Sequence, residues 1–346
     1  MKCSTYLGFV VALCTSLSIQ AQSNPISRTP EGRPDFQGVW TNATQTPLER
    51  PEALGNKRAY TAEEAAQRVL ASQERFARDS APIDPDRPAP EKGAPIGLEA
   101  DWRFPNSHVI TVNGEARTSM IIEPENGRIP HVDNEVMQDW RSKILAQDGV
   151  DEFDGPEVRT VGERCLLSVL STAGPPMVPM IYNSNYQIVQ TEDYLMIMTE
   201  MVNDARIIRI DSEPLPEAMT RWMGDSVGHW EGDTLVVKTN KIHPQQTFRG
   251  STQALTTTEW FSKESNAQIN YRVTIDDPVA YTQPWTAEIP LRALAQGTRL
   301  YEYACHEGNM SVIGSLGGAR RQDHDASLQA QEQSIIDPAQ ALPLAQ

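Results

Sequence analysis

The stretch INYRVTID, residues 269–276, decides the fold. Its apolar residues Ile269, Tyr271, Val273 and Ile275 alternate with polar ones. Successive side chains of a β-strand point to opposite faces, so these four share one face. A strand with one apolar and one polar face is typical of an antiparallel sheet that covers a core. We therefore predict a half-buried strand here.

Eight other segments share its β-branched and aromatic character and are separated by turn residues. The connections are too short for crossover helices, which predicts a mainly antiparallel sheet. YLMIMTEM does not alternate, which predicts burial of both of its faces. Closure of the sheet into a barrel explains both patterns. The nine candidate strands are YQIVQ (186–190), YLMIMTEM (194–201), ARIIRID (205–211), GHWE (228–231), TLVVKTN (234–240), QALTTTEWF (253–261), INYRVTID (269–276), WTAEIPLRA (285–293) and TRLYEYAC (298–305).

The predicted organisation has four parts. Residues 1–21 hold one lysine before an apolar run, the pattern of a secretory signal peptide. Residues 22–150 form an irregular N-terminal arm whose two short helices pack on the barrel, and residues 151–320 form the barrel. Residues 321–346 have little to bury, which predicts a mobile tail.

Two helices are predicted inside the arm. Thr61 and Glu64 make a capping box for a helix over 62–78. Asp133 is placed to cap a second helix over 134–146.

The signal peptide predicts export to the periplasm or beyond, into an oxidising compartment. Cys3 and Cys14 leave with the leader, so the mature chain keeps Cys165 and Cys305. A single pair of cysteines in such a compartment predicts one disulfide bond. The net charge of −16 argues against nucleic-acid and membrane partners. The sequence does not determine the oligomeric state.

His229 and Glu231 lie two residues apart on a predicted strand and so share a face. A histidine and a carboxylate on one side of a strand suit proton transfer, because histidine titrates near working pH. A solvated strand edge is the alternative. We take the pair as candidate catalytic residues.

EMVNDARII, residues 200–208, reads as a hairpin tip carrying Glu200, Asp204 and Arg206. At the mouth of a barrel, Asp204 and Arg206 are candidate catalytic residues and Glu200 a candidate substrate-binding residue. An ordinary surface ion pair between Asp204 and Arg206 is the alternative. The turn register leaves open which acid shares a face with Arg206.

The stretch RLYEYACHEGN, residues 299–309, places Cys305 and His306 side by side. On a continuous strand these two side chains diverge, which argues against a thiolate–imidazole pair. His306 is then either a structural hydrogen-bonding group or a proton-transfer group at a strand end. We include it among the candidate catalytic residues.

Aromatic residues crowd the predicted strands, and Tyr271 and Trp285 are candidate substrate-binding residues for an apolar ligand inside the barrel. The six histidines show no metal-binding spacing, and no nucleotide-binding glycine motif is present. We therefore predict neither a metal nor a cofactor.

A group of motifs resembles those of a large family of secreted, mostly uncharacterised bacterial proteins. They include GRPDFQGVW, NDARII, HWEGDTLVV and YEYACHEGN, and the resemblance covers about residues 27–320. In many members a histidine precedes the aspartate of the DARII motif, where this chain has Asn203. The barrel resembles the lipocalin-like type, which includes carriers as well as hydratases, cyclases and isomerases for apolar substrates.

Three functions follow as expectations. The first is an exported, cofactor-independent enzyme that performs acid–base chemistry on an apolar small molecule, as a cyclase, isomerase, hydratase or lyase. The second is a carrier that binds such a molecule without chemistry. The third is a secreted hydrolase, which needs a serine or threonine hydroxyl within hydrogen-bonding distance of His229 or His306.

Overall fold

The computed structural model describes residues 25–82, 108–132, 149–167, 174–180, 184–246 and 248–336, with residues 86, 88, 91, 145 and 147. The predicted signal peptide, 1–21, and nearly all of the predicted helix 134–146 lie outside these residues. Neither of the two α-helices in the described part has the length and hydrophobicity of a membrane span.

Fourteen strands and two α-helices make up the regular structure of the described residues. The strands are β1 (Gly38–Thr41), β2 (Ala59–Tyr60), β3 (Thr111–Val112), β4 (Glu115–Arg117), β5 (Ile121–Glu123), β6 (Asn185–Gln190), β7 (Tyr194–Thr199), β8 (Ala205–Ile210), β9 (Asp225–Glu231), β10 (Thr234–Asn240), β11 (Thr256–Ser265), β12 (Gln268–Asp276), β13 (Trp285–Glu288) and β14 (Leu291–Ala293). The helices are α1 (Ala62–Asp79) and α2 (Ser311–Ile336).

Nine of these strands close into a barrel, which confirms the predicted mainly β, lipocalin-like fold class. The order around the barrel is β11, β10, β9, β8, β7, β6, β1, β14 and β12, and β12 pairs with β11 to complete the ring. All of these pairs are antiparallel except β8 with β9, where Ile208 lies opposite Ser226 in a parallel register. The connection over 211–224 carries the chain back to the start of β9 and makes this parallel pair possible.

The alternation of β12 sets the inside of the barrel. Ile269, Tyr271, Val273 and Ile275 are almost completely buried, as predicted. Residues opposite one another in an antiparallel pair share a face, so Phe261, opposite Tyr271, also points inward. The same argument, carried from strand to strand, places the buried position of each pair in one common core.

Three strand predictions are wrong. The segment WTAEIPLRA, 285–293, forms two strands, β13 and β14, instead of one. Strand β7 alternates, with Leu195 and Ile197 buried inside and Met196 and Met198 only half-buried outside, so its two faces are not equally buried. The unbranched methionines cover the outer surface without being enclosed by it. The segment TRLYEYAC, 298–305, is not a strand but an irregular stretch that enters a turn at Cys305.

The structure also contains a strand that the sequence does not predict. β1 lies within the arm that we predict to be irregular, and it pairs with β6 on one side and β14 on the other. Strand β5 pairs with β13 and extends the sheet beyond the barrel. The N-terminal region is therefore built into the sheet through β1 and β5.

The first predicted helix is confirmed as α1, and its capping box is present, with reciprocal hydrogen bonds between Thr61 and Glu64. Helix α2 extends through the first part of the segment predicted as a mobile tail, as far as Ile336. Nearly all of its described side chains are exposed, as expected for a segment with little to bury. Its mobility stays a prediction.

The predicted disulfide is present. The Sγ atoms of Cys165 and Cys305 lie 2.08 Å apart. The bond joins residues 140 positions apart in sequence. Closing so long a loop stabilises a fold by roughly 3–5 kcal/mol in the chain-entropy model.

Candidate active site

The barrel has two chemically different ends, named here by one residue at each. At the Asp204 end, β7 stops at Thr199 and β8 begins at Ala205. At the Phe36 end, the turn at Gly232-Asp233 joins β9 to β10. Strand β9 runs parallel to β8 and therefore ends where β8 ends, so the β9–β10 turn lies at the opposite end of the barrel from the β7–β8 turn.

The Phe36 end is closed by aromatic side chains. The ring of Phe36 is fully buried and stacks on Trp230, with their centroids 5.7 Å apart. It also lies against Phe261, with a centroid distance of 6.4 Å. The backbone nitrogen of Phe36 donates to Oε1 of Gln190 at 2.7 Å, which fixes the arm across this end.

A buried ion pair crosses the barrel near the Asp204 end. Nη1 and Nη2 of Arg206 donate to the carboxylate of Glu259 at 3.0 Å, and both side chains are at most 1% exposed. The hydroxyl of Tyr271 donates to Oε1 of Glu259 at 2.9 Å. Burial, together with the Glu259 charge, raises the pKa of Tyr271 well above its usual value. A buried pair is tolerated only when its remaining hydrogen-bonding capacity is met, and Tyr271 meets part of it.

The segment 174–178 is buried and tied to this pair. The backbone nitrogen of Met177 donates to the hydroxyl of Tyr271 at 3.2 Å, and its carbonyl accepts from Nδ2 of Asn42 at 2.9 Å. Gly174 has a positive φ of 98°, and a Cβ there would lie 2.8 Å from Nη1 of Arg206. Only glycine allows this close approach of the backbone to the guanidinium.

Asp204 immediately precedes β8 and lies on the same inward side as Arg206, which settles the register that the sequence leaves open. The backbone nitrogen of Thr199 donates to the carbonyl of Asp204 at 2.9 Å, which places Asp204 opposite the inward-facing Thr199. The carboxyl does not pair with Arg206, since the guanidinium is bound to Glu259. The surface ion pair that we considered between Asp204 and Arg206 is therefore wrong.

The Asp204 carboxyl is desolvated. Its Oδ2 atom is buried and has no hydrogen-bond partner among the described residues. Burial raises the pKa of Asp204 to about 6. A carboxyl that titrates this close to neutrality can take up or release a proton under working conditions.

Three more polar atoms on this side of the core are buried and lack a hydrogen bond within the described part of the chain. They are Nε of Arg206, Oγ1 of Thr257 and Oδ1 of Asn42. Thr257 points inward two residues before Glu259 on β11, towards the Asp204 end. Unpaired buried polar atoms are costly and are uncommon in native proteins, so these three together with Oδ2 of Asp204 mark this end as a candidate site.

Both carboxylate oxygens of Glu200, predicted to bind substrate, already accept hydrogen bonds within the protein. Its Oε2 accepts from Nδ2 of Asn185 at 2.8 Å, and its Oε1 accepts from the backbone nitrogen of Tyr301 at 3.0 Å. Both bonds fix segments that flank the barrel end. The contacts therefore give Glu200 a structural role beside the candidate site.

His229 and Glu231 lie together, but outside the barrel. Their Nε2 and Oε1 atoms are 3.1 Å apart, and the two side chains are 47% and 63% exposed. Gly228 and Trp230 take the inward positions of β9, so the residues between and after them face outward. The structure therefore separates this pair from Asp204, Arg206 and Tyr271 by both face and barrel end.

His306 and Trp285 do not join the cluster. His306 is exposed in the turn after Cys305, and its side chain makes no hydrogen bond to another described residue. The strand on which its predicted divergence from Cys305 depends does not form. Trp285 is fully buried and packs on Phe248 and Tyr281, with centroids 6.2 and 5.9 Å away. Its position is that of a core residue.

A separate cleft of about 350 Å³ lies at the Phe36 end, between the arm, β1 and the residues after β14. Lys263 lines it, and its ammonium group donates to Oγ of Ser27 and to the carbonyl of Asp35. Burial lowers the pKa of Lys263. The cleft contains none of the predicted catalytic residues.

Sequence reasoning misses Glu259, the partner of Arg206. The available signal is the alternation of Thr257, Glu259 and Phe261 in QALTTTEWF, which places a glutamate on the apolar face. A buried carboxylate requires a partner. That partner lies 53 residues away in sequence.

A scan against protein-family models finds no match to this chain, and searches of curated proteins and of solved structures find none either.

Proposed function

We propose that the protein is an exported, cofactor-independent enzyme that performs acid–base chemistry on an apolar small molecule at the Asp204 end of its barrel. The reaction class is isomerisation, cyclisation, hydration or elimination, since these need proton transfer and no redox partner. The observation that carries the proposal is the buried Oδ2 of Asp204, unpaired among the described residues and two positions from Arg206 on the inward side of β8.

Asp204 takes the role of the proton-transfer group. With a pKa of about 6, it is mainly ionised at neutral pH and acts first as a base. Arg206 and Tyr271 lie on the same side of the core, and Glu259 holds both in place. The guanidinium and the phenol provide fixed dipoles near charge that develops on the substrate.

His229 and Glu231 are left out of this mechanism because their side chains face outward at the other end of the barrel. The hydrolase alternative also loses support, since neither His229 nor His306 is hydrogen-bonded to a serine or threonine hydroxyl among the described residues. The carrier alternative keeps the same site without chemistry and is an outcome of the experiment below.

The test begins with the small molecules that co-purify with the protein, extracted with organic solvent and identified by mass spectrometry. The extract is then incubated with fresh wild-type protein and with Asp204→Asn, His229→Asn and Asp233→Asn variants. We expect wild type to convert at least one compound, and Asp204→Asn to do so about 10²–10⁴ times more slowly. Asp233→Asn is the matched control, because Asp233 is an exposed carboxylate paired with Arg28.

The outcomes separate the three functions. Compounds that are retained but never altered support the carrier. Conversion that survives Asp204→Asn but is lost in His229→Asn overturns the assignment of the site. Conversion by wild type is expected to rise with pH through about 6, as Asp204 loses its proton.

A further inference from the structure

We infer that the site at the Asp204 end selects an uncharged apolar alcohol and rejects the carboxylic acid of the same chain length. This inference rests on the proposed function and specifies the substrate class of the same site. Two observations carry it: the charges at this end of the barrel and the kinds of polar atom left unpaired there.

The charge of Arg206 is already neutralised. Both carboxylate oxygens of Glu259 face its guanidinium at 3.0 Å, and both groups are buried. Among the described residues, a ligand carboxylate therefore meets no free cation inside this end of the barrel. It meets the carboxyl of Asp204 instead, whose charge is left without a counter-ion among the described residues. Like charges in a desolvated site repel strongly.

The unpaired polar atoms also favour an alcohol over a carboxylate. Oδ2 of Asp204 and Oδ1 of Asn42 are acceptors, Nε of Arg206 is a donor, and the hydroxyl of Thr257 can do either. A ligand hydroxyl both donates and accepts, so it can satisfy an acceptor and a donor together. A carboxylate or an ether oxygen only accepts and leaves the two protein acceptors unpaired, which is costly in a buried site.

Three probes with one hydrocarbon chain separate these two effects: decan-1-ol, 1-methoxydecane and decanoic acid. Each is titrated at pH 8 into wild-type protein loaded with Nile red, and displacement is followed by fluorescence. We expect the alcohol to displace the dye at concentrations about tenfold lower than the acid does, with the ether between them.

Variants test the cause. Asp204→Asn removes the repelling charge and is expected to reduce the preference for alcohol over acid at least about threefold. Glu259→Gln frees the charge of Arg206 and is expected to make the acid bind at least as well as the alcohol. Asp233→Asn, the exposed control at the other end, keeps the wild-type preference. If Glu259→Gln does not fold, the preference measured for Asp204→Asn still tests whether the charge of Asp204 is the cause.

The outcomes distinguish the two proposals. Equal or tighter binding of the acid by wild type overturns the alcohol preference but leaves an apolar site in place. A preference unchanged in Asp204→Asn overturns the assignment to this end of the barrel. Failure of all three probes to displace the dye overturns both the preference and the proposed apolar substrate.

Discussion

At the Phe36 end the barrel is closed by stacked rings, whereas at the Asp204 end it is closed by a chain of polar contacts. Phe36 lies between Trp230 and Phe261 and leaves the charged residues of that end outside. At the other end, Met177 is held by hydrogen bonds over the Arg206–Glu259 pair.

The difference shows where this fold combines stability with chemistry. Packed aromatic rings close the Phe36 end of the barrel and stabilise it without burying a charged group. A buried ion pair with unpaired polar neighbours stabilises less, and in some proteins such a pair sets specificity. The four predictions below test this contrast between the two ends, beginning with the largest expected effect.

Glu259→Gln should cause the largest loss of stability. It leaves the charge of Arg206 buried without its counter-ion, which costs about 3–5 kcal/mol in comparable buried pairs. Urea unfolding followed by circular dichroism measures the change in the free energy of unfolding. Glu217→Gln, at a side chain that is 96% exposed, is the matched control and should leave the unfolding midpoint almost unchanged.

Phe36→Ala should have the next largest effect, at the opposite end. It opens a cavity between Trp230 and Phe261, and truncation of a buried phenylalanine costs about 3 kcal/mol or more. The substitution should lower the urea concentration at the unfolding midpoint. The concentration of decan-1-ol that displaces half of the Nile red should stay the same. Loss of alcohol binding would show that the two ends are not independent. Tyr301→Ala, at an exposed ring, is the control.

Gly174→Ala tests the contact of the segment 174–178 with Arg206. Alanine is disfavoured at a φ of 98°, and its Cβ would approach Nη1 of Arg206 to 2.8 Å. We expect a loss of about 1–3 kcal/mol in the free energy of unfolding. Gly314→Ala in α2, with nothing within 4 Å, should instead be neutral or slightly stabilising. Equal effects of the two changes would contradict the close packing at Gly174.

Asp204→Asn should alter the pH dependence of stability. The native pKa is raised above the unfolded one, so the native state holds the proton longer and the free energy of unfolding falls as pH rises from about 4 to about 6. The variant lacks this fall and should be about 1–2 kcal/mol more stable at pH 7, less than the full linkage value because part of the carboxyl faces water. Urea titrations at pH 4, 5, 6 and 7 measure it. Identical slopes in wild type and variant would show that the carboxyl is not desolvated.

Local sequence patterns were sufficient for much of the fold. The alternation of residues 269–276 depends on a few neighbouring side chains, and it is confirmed. The pairing of Cys165 with Cys305 follows from counting the cysteines that remain after the predicted leader. Strand β1 is not predicted from the sequence because its four residues are too few to show a period.

The candidate site was only partly predictable. Asp204, Arg206 and Tyr271 are recognisable as polar residues on strands or at a hairpin, but their grouping depends on register, and a shift of one residue reverses every side chain. His229 and Glu231 share a face, as predicted, but the sequence does not tell which face points inward.

By itself, the sequence determined most of the barrel strands and the disulfide, because the strands depend on local alternation and the disulfide on a count. Only the tertiary structure decided that Arg206 pairs with Glu259 and that Asp204 turns inward while His229 turns outward. The reason is physical: contacts across a barrel join residues far apart in sequence, and closure of the sheet, not local preference, sets their distance.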